Sequence, residues 1–403
     1  MQKRTILHCD CNSFFASVET ALHPAYREVP MAVCGSAEDR HGIVLAKNEL
    51  AKRYGIQTAE TILSAKKKCP HLVIADPHYD RYLEYSKRVG EIYARYTDLI
   101  EPFGIDESWL DVTASFKLFG NGEQIAHRIR REVKEELGIT VSVGVSFNKT
   151  FAKLGSDYKK PDAVTVIGED NFKDIVYPLP VSDLLFVGKR TKEQLEKMHI
   201  RTIGDLAKAS EQLLVHHFGK NGILLAKCAR GEDDSPVEVP TDEVKSIGRG
   251  YTFRRDLQNR EECYVGLLYL SEQIGEQLRA KGLVASTVSL KIKDEYLVSI
   301  QRQKAISAPT DLGQDICDLA YEILCDQWRS GKPIRTLTVT ATGLMQKGDT
   351  AEQISLFDAP DPKHEKNSKI ENTKDIIRQK FGSRSIFAGS VLNDELGIYD
   401  RKK

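Results

Sequence analysis

Three carboxylates stand where they could act together. Asp10 closes the apolar, alternating segment RTILHCDC (4–11), and the adjacent pair Asp106 and Glu107 lies where two further apolar runs meet in EPFGIDESWLDVT (101–113). Strand ends that converge at one sheet edge would bring the three anions together. Oxygen ligands of this kind hold hard divalent cations, and two such ions about 3.5–4 Å apart flank the attacking and leaving oxygens of a phosphoryl transfer. Without a cation the cluster is unfavourable, because close like charges raise one another's pKa. In a chain with 58 acidic residues, three acids taken alone read more readily as solvated surface charge. Their position after apolar strands, away from solvated helix faces, favours a metal site.

The elements that must position them follow from periodicity. Residues 4–11 read as a strand running into the helical SFFASVETAL, with Ser13 as its N-cap. Short strands are expected at 31–35 and 43–46, helices at 48–54, 61–68 and 79–99, and two neighbouring strands or a hairpin around Ile105 to Ser108. A helix ending at Gly138 and a buried strand ITVSVGVS follow. This is an α+β domain of the ferredoxin-like kind, residues 1–170, with an insertion near 20–76. Residues 171–231 are wholly helical, broken at glycines. The stretch EDDSPVEVPTDE (232–243) is acidic and carries two prolines, so it reads as an extended linker. Strand-like segments at 244–256, 286–306 and 334–343 alternate with helical ones at 260–281 and 311–330, giving a sheet-and-helix sandwich over 244–345. A polar tail (346–403) holds one further helical stretch near 370–381.

At 403 residues, with 41% hydrophobic and 29% charged residues, the chain is an ordinary multidomain globular protein. The sequence has no run of membrane-spanning length and no apolar signal core, so a cytoplasmic protein is expected. Its eight cysteines contain no C-x-x-C pair, and Cys9 and Cys11 are expected in the core. Net charge is zero, unfavourable for a nucleic-acid binder, but charge is segregated. In the third domain the strand segments are rich in Lys and Arg and the helices in Asp and Glu, which would suit a basic sheet face along a phosphate backbone.

HCDCNSFFASVE (8–19), GIDESWLDVT (104–113) and SVGVSFNKTFAKLGSDYKKP (142–161) resemble, in order and spacing, the three motifs of Y-family translesion DNA polymerases of the bacterial polymerase IV-like kind; the resemblance runs from Ile6 to about residue 345. It implies a palm (1–170) with small fingers (near 20–76), a helical thumb (171–231) with helix-hairpin-helix-like turns, and an α/β-sandwich little finger (244–345). The implied activity is template-directed, low-fidelity transfer of dNTPs to a primer 3′-hydroxyl by a monomer. Asp10, Asp106 and Glu107, with the Cys11 backbone carbonyl, would hold two Mg²⁺ ions, for which Mn²⁺ could substitute. Phe15 would be the steric gate against a 2′-hydroxyl, with Phe14 and Tyr82 beside the substrate and Lys160 on the triphosphate. Where relatives have a tyrosine and an arginine in the fingers, this chain has Glu49 and Lys52, with Arg53 a possible substitute.

Gly188 with Lys189 and Gly219 with Lys220 would meet primer-template DNA from the thumb, although Phe186 stands where the first hairpin usually has glycine. Arg249, Arg254, Lys291 and Arg302 would meet it from the little finger. In the tail, Gln353, Ser355, Leu356 and Phe357, with Ile354 between them, resemble the peptide by which bacterial polymerases dock on a sliding clamp. Three alternatives stand beside this reading: a non-catalytic DNA-binding scaffold on the same fold, a polymerase V-like subunit that needs partners, and a palm-fold nucleotidyl cyclase.

Overall fold

The computed structural model describes residues 4–36, 42–241, 243–328, 332–348, 362–382, 385–392 and 396–398. Contacts divide the chain into two units, Met1–Gly35 with Ile43–Thr241 and Ser36–Gly42 with Asp242–Lys403. The first begins with strand β1 (Ile6–Cys11), buried along its length, and helix α1 (Phe14–Leu22). Ser13 precedes α1 as expected but does not cap it: its φ is +49° and its hydroxyl makes no capping bond. A three-stranded sheet follows, built from β2 (Met31–Cys34), β3 (Val44–Lys47) and β4 (Val73–Ala75), with α2 (Glu49–Arg53) and α3 (Ile62–Lys68) between β3 and β4. Its small core is separate, centred on Val44, Ala51, Ala65 and Leu72.

The chain returns through α4 (Tyr79–Tyr93), β5 (Ile100–Pro102), β6 (Glu107–Asp111), α5 (Phe116–Phe119), α6 (Gly122–Leu137), β7 (Val141–Ser146), α7 (Lys149–Tyr158) and β8 (Val164–Ile167). Helix α4 stops six residues before the expected end at residue 99. There the Thr97 hydroxyl donates to the Asp111 carbonyl (2.7 Å) and accepts from Leu99 N (3.1 Å), turning the chain into β5. Helix α6 has both end signals, an Asn121–Gln124 capping box and Gly138 at φ +68°. Its stripe of Ile125, Ile129, Val133 and Leu137 packs with Leu7, Cys9 and Val143 of the sheet. The five strands lie in the order β5-β6-β1-β7-β8.

Helix α7 sits unusually close to this sheet. A side-chain carbon at Gly144 of β7 would fall 1.9 Å from the Ala152 carbonyl, and one at Gly155 of α7 would fall 3.0 Å from the Gly144 Cα. Asn148 caps the helix through Phe151 N (2.7 Å), and Asp233 accepts from Thr150 N (3.1 Å) and Thr150 Oγ1 (2.8 Å). The acidic stretch after residue 231, expected as an extended linker, is therefore anchored to the first unit as far as Glu238. Val237 is buried against Ile6, Trp109 and Ala152, and Glu238 N donates to Glu101. Its acids serve as local hydrogen-bond acceptors as well as solvated charge.

Five helices complete the unit: α8 (Phe172–Val176), α9 (Lys189–Lys197), α10 (Ile203–Lys208), α11 (Glu211–Phe218) and α12 (Lys220–Arg230). Their core includes Phe151, Leu154 and Ile167 from the preceding elements.

The second unit holds β9 (Ser246–Leu257), α13 (Arg260–Ala280), β10 (Leu283–Asp294), β11 (Ser299–Thr310), α14 (Gly313–Gln327), β12 (Ile334–Gln346) and α15 (Pro362–Phe381), with sheet order β11-β10-β12-β9. The segment read as one strand at 286–306 is a hairpin of two. The expected tail helix is longer than 370–381 and is docked. Glu371 accepts from Gly313 N (2.9 Å) and Gln314 N (3.2 Å) at the start of α14 and pairs with Arg279, which also reaches Asp375 (2.5 Å). Arg378 pairs with Glu272 (3.0 Å). Leu396 and Ile398 enter the same core as α13. The peptide Gln353 to Phe357 lies outside the described residues. Breaking a buried pair leaves an uncompensated charge. Arg279→Met should lower the free energy of unfolding, measured in urea, by about 3–5 kcal/mol, whereas Lys369→Met, in an exposed pair with Glu365, should change it by less than about 1 kcal/mol.

Candidate active site

Strand pairing sets Asp10 directly opposite Glu107, and the Asp106 carbonyl accepts from Cys11 N at 2.9 Å. The three acids expected to meet are thus brought to one end of β1 and β6. They are answered from α7 and from the residues just after it. Lys153 Nζ lies 3.0 Å from Asp10 Oδ2 and 2.5 Å from Glu107 Oε2, and Lys160 Nζ lies 2.7 Å from Asp10 Oδ2 and 2.7 Å from Asp157 Oδ1. Sequence reading selected Lys160 and missed Lys153. The usable signal was helical spacing, since Lys149, Lys153 and Asp157 recur every fourth residue on one face.

His8 was also missed, although the alternation of a strand puts it on the same face as Asp10. It is fully buried, its Nδ1 meets Ser156 Oγ at 2.8 Å, and its Nε2 stands 3.4 Å from Glu107 Oε2 without a hydrogen-bond partner. His8, Asp10 and Glu107 each offer a ligand atom within 4.8 Å of the others. Burial pushes the His8 pKa down despite the nearby Glu107. Burial thus disfavours the charged ring, and Lys153 is the cation in contact with both Asp10 and Glu107. Burial disfavours that ammonium, but Asp10 first, then Glu107 and Asp157, hold its pKa above the ordinary lysine value.

The adjacent acids are pushed in opposite directions. Burial, then Asp10 and Glu107, drive Asp106 up to about 6. Burial would also raise Glu107, but His8 and Lys153 outweigh it and take the carboxyl down to about 2. The lysines thus pair with Asp10 and Glu107, whereas Asp106 forms no ion pair among the described residues. Three oxygen-bearing side chains with this residual charge fit a divalent cation.

Asp10, Asp106 and Cys11 line a cavity of about 520 Å³ with Phe14, Phe15, Glu49, Lys52 and Lys160. Phe15 is half-buried at its wall. Tyr82, expected beside the substrate, does not line this cavity: it is fully buried behind Phe15, the two rings stacked with centroids 4.2 Å apart. Its hydroxyl donates to Glu19 at 2.6 Å, so it braces the Phe15 ring. Lys52 reaches the cavity wall whereas Arg53 does not.

In the helical region Gly188, Lys189, Gly219 and Lys220 are exposed. Gly219 takes φ +58° between α11 and α12, and Phe186, standing where glycine was expected, itself adopts φ +71° with its ring 60% exposed. In the second unit, register redistributes the expected basic face. Residues paired across an antiparallel sheet share a face. Arg249 pairs with the buried Val339, and Arg302 with the buried Leu290, so both belong to the helix-covered side. Arg254 packs its stem against Gly397. The opposite face carries Lys291 and Lys293 beside a hydroxyl column of Thr336, Thr338 and Thr340, with Gly248 and Gly250 across from Thr340 and Thr338.

A carboxylate cluster at one end of a mixed five-stranded sheet, beside a nucleotide-sized cavity and followed by a helical region and a separate sheet module, is the layout of a template-directed nucleic-acid polymerase. The family described as impB/mucB/samB matches residues 9–157, and its C-terminal domain matches residues 244–356. The chain is 48% identical to DNA polymerase IV of Acetivibrio thermocellus over 397 residues, covering 97% of this chain and 98% of the relative. It is 38% identical to DNA polymerase IV of Moorella thermoacetica over 384 residues, covering 95% and 94%. A solved Y-family DNA polymerase chimera superposes with a TM-score of 0.76 at 26% identity, covering 85% of this chain and 99% of that one. The chain belongs to the Y family of DNA polymerases, among the DNA polymerase IV proteins, and is a DNA-directed translesion polymerase.

The raised Asp106 pKa has a thermodynamic consequence. A carboxyl that is harder to ionise in the folded state stabilises the fold most below its ordinary pKa near 4, and that contribution disappears as pH rises through the folded value of about 6. In chelator-treated protein at pH 7.5, Asp106→Asn should therefore be more stable than wild type by on the order of 1–2 kcal/mol after solvent screening. Melting curves at pH 4 and pH 7.5 check this, with the advantage expected only at the higher pH.

Proposed function

We propose that Asp10, Asp106 and Glu107 are the centre of two-metal-ion nucleotidyl transfer, with Mg²⁺ the natural ion and Mn²⁺ a substitute. The observation that carries this is the meeting of three carboxylates beside a cavity of about 520 Å³, with Asp106 driven up to about 6 partly by its two neighbours. The side-chain oxygens of the three acids and the Cys11 carbonyl would hold the ions, which supply activation of the primer 3′-hydroxyl and neutralisation of the leaving pyrophosphate. The protein's own groups do the positioning. Lys153 holds Asp10 and Glu107 together against their repulsion. Lys160, at the cavity edge, offers its ammonium to the triphosphate. Phe15, braced by Tyr82 at the cavity wall, would exclude a 2′-hydroxyl and select dNTPs. No helix among the described residues is long and apolar enough to cross a membrane.

Primer-template DNA would be gripped at the exposed turns of Gly188 with Lys189 and Gly219 with Lys220, whose backbone N–H groups suit phosphate oxygens. The helix-free face of the second unit, with Lys291, Lys293 and its threonine column, would lie along the DNA backbone. Hydroxyl and backbone contacts there fit binding without sequence preference. The Gln353 to Phe357 peptide is assigned to clamp docking from its sequence alone, and the enzyme is taken to act as a single chain that the clamp holds at the primer end.

Primer extension on undamaged and abasic templates with Mg²⁺ tests the centre. Asp106→Ala and Glu107→Ala should each lose at least about 10³-fold in rate while still binding primer-template. Retained extension in both would refute the assignment. For the second unit, each phosphate neutralised contributes about 0.9 to the slope of log K against log salt. Lys291→Ala with Lys293→Ala should lower that slope by about 2, while Arg302→Ala should leave it nearly unchanged, as read by fluorescence anisotropy of labelled duplex.

A further inference from the structure

The substrate cavity contains one acid outside the metal-binding cluster. Glu49, the first residue of α2, lines it together with Lys47, Lys52 and Lys160. Its carboxylate lies 2.6 Å from Lys52 Nζ and 3.5 Å from Ser13 Oγ. Neither partner is held from behind by packing, since the Lys52 and Glu49 side chains are 41% and 50% exposed. Glu49 also borders a second cavity of about 350 Å³, sharing Asn12, Ser13 and Pro161 as a common wall between the two.

We infer that Glu49 is an intramolecular competitor for polyphosphate: it occupies the Lys52 ammonium and the Ser13 hydroxyl in the place of phosphate oxygens, and an incoming triphosphate must displace it. The inference rests on the reading of this cavity as the triphosphate site. The groups that Glu49 engages are those that anionic oxygens prefer, a primary ammonium and a hydroxyl. The exposed pair is weak enough to exchange, because solvent screens it and two mobile side chains must be ordered to form it. A phosphate that takes Lys52 also leaves the Glu49 charge near its own, and both effects oppose retention of the polyanion. Glu49 therefore weakens ground-state binding of the nucleotide and, after transfer, speeds loss of pyrophosphate by recapturing Lys52.

Steady-state extension with wild type, Glu49→Gln, Lys52→Ala and the double variant separates the possibilities. Glu49→Gln keeps the side-chain shape and, at an exposed position, does not endanger folding. It should lower the KM for dNTP and the inhibition constant of pyrophosphate by about two- to five-fold, the range expected for release of an exposed ion pair. The gain should vanish in the Lys52→Ala background. If Lys52→Ala raises KM but Glu49→Gln raises it or leaves it unchanged, Glu49 positions Lys52 or is idle, and the inference fails while the cavity reading stands. If Lys52→Ala leaves KM unchanged, the lysine does not serve the triphosphate and the underlying reading fails.

Discussion

Mutual repulsion of three carboxylates at one strand end is the constraint on which the rest of the first unit depends. Asp10 and Glu107 are forced together by strand pairing, and the two lysines that compensate them arrive on α7 (Lys153) and on the segment just after it (Lys160), the helix crossing the sheet at glycine distance. A methyl group at Gly144 would collide with the α7 backbone and lift Lys153 from the acids. The helix is fixed at its start by Asn148 and Asp233. A backbone contact on the sheet thus controls an electrostatic balance several residues away. The balance is incomplete: the lysines pair with Asp10 and Glu107, and burial together with these two neighbours holds the Asp106 carboxyl above its ordinary pKa.

The second unit obeys a different rule. Its sheet has one face filled by α13 and α14 and one face of threonines, glycines and two lysines. A difference of one residue in strand position moves a side chain from one face to the other, and for Arg249 and Arg302 that parity matters more than charge. The acidic helices are equally purposeful: Glu272 and Glu371 take part in a buried network with Arg279 and Arg378. Docking of α15 makes the tail part of this module.

Departures in residue type have clear local outcomes. Phe186 assumes the positive φ that a glycine would adopt freely, at a steric cost of about 1–3 kcal/mol. Glu49, where the family resemblance implies an aromatic residue, brings a charge instead and pairs with its neighbour Lys52.

Much of this was legible in the amino-acid order. Alternation and capping gave the palm strands, the helix ending at Gly138 and the position of the three acids, because these depend on side-chain period and local hydrogen bonds. Motif order pointed to the Y family. What only the tertiary structure decided depends on approach and register. These include Lys153 and His8 as neighbours of the acids, Tyr82 behind Phe15, the anchoring of the acidic stretch, and the face to which each arginine of the second sheet belongs. None leaves a local mark, since each is set by which strand pairs with which, and how closely a helix can lie on a sheet where glycine removes the side chain between them.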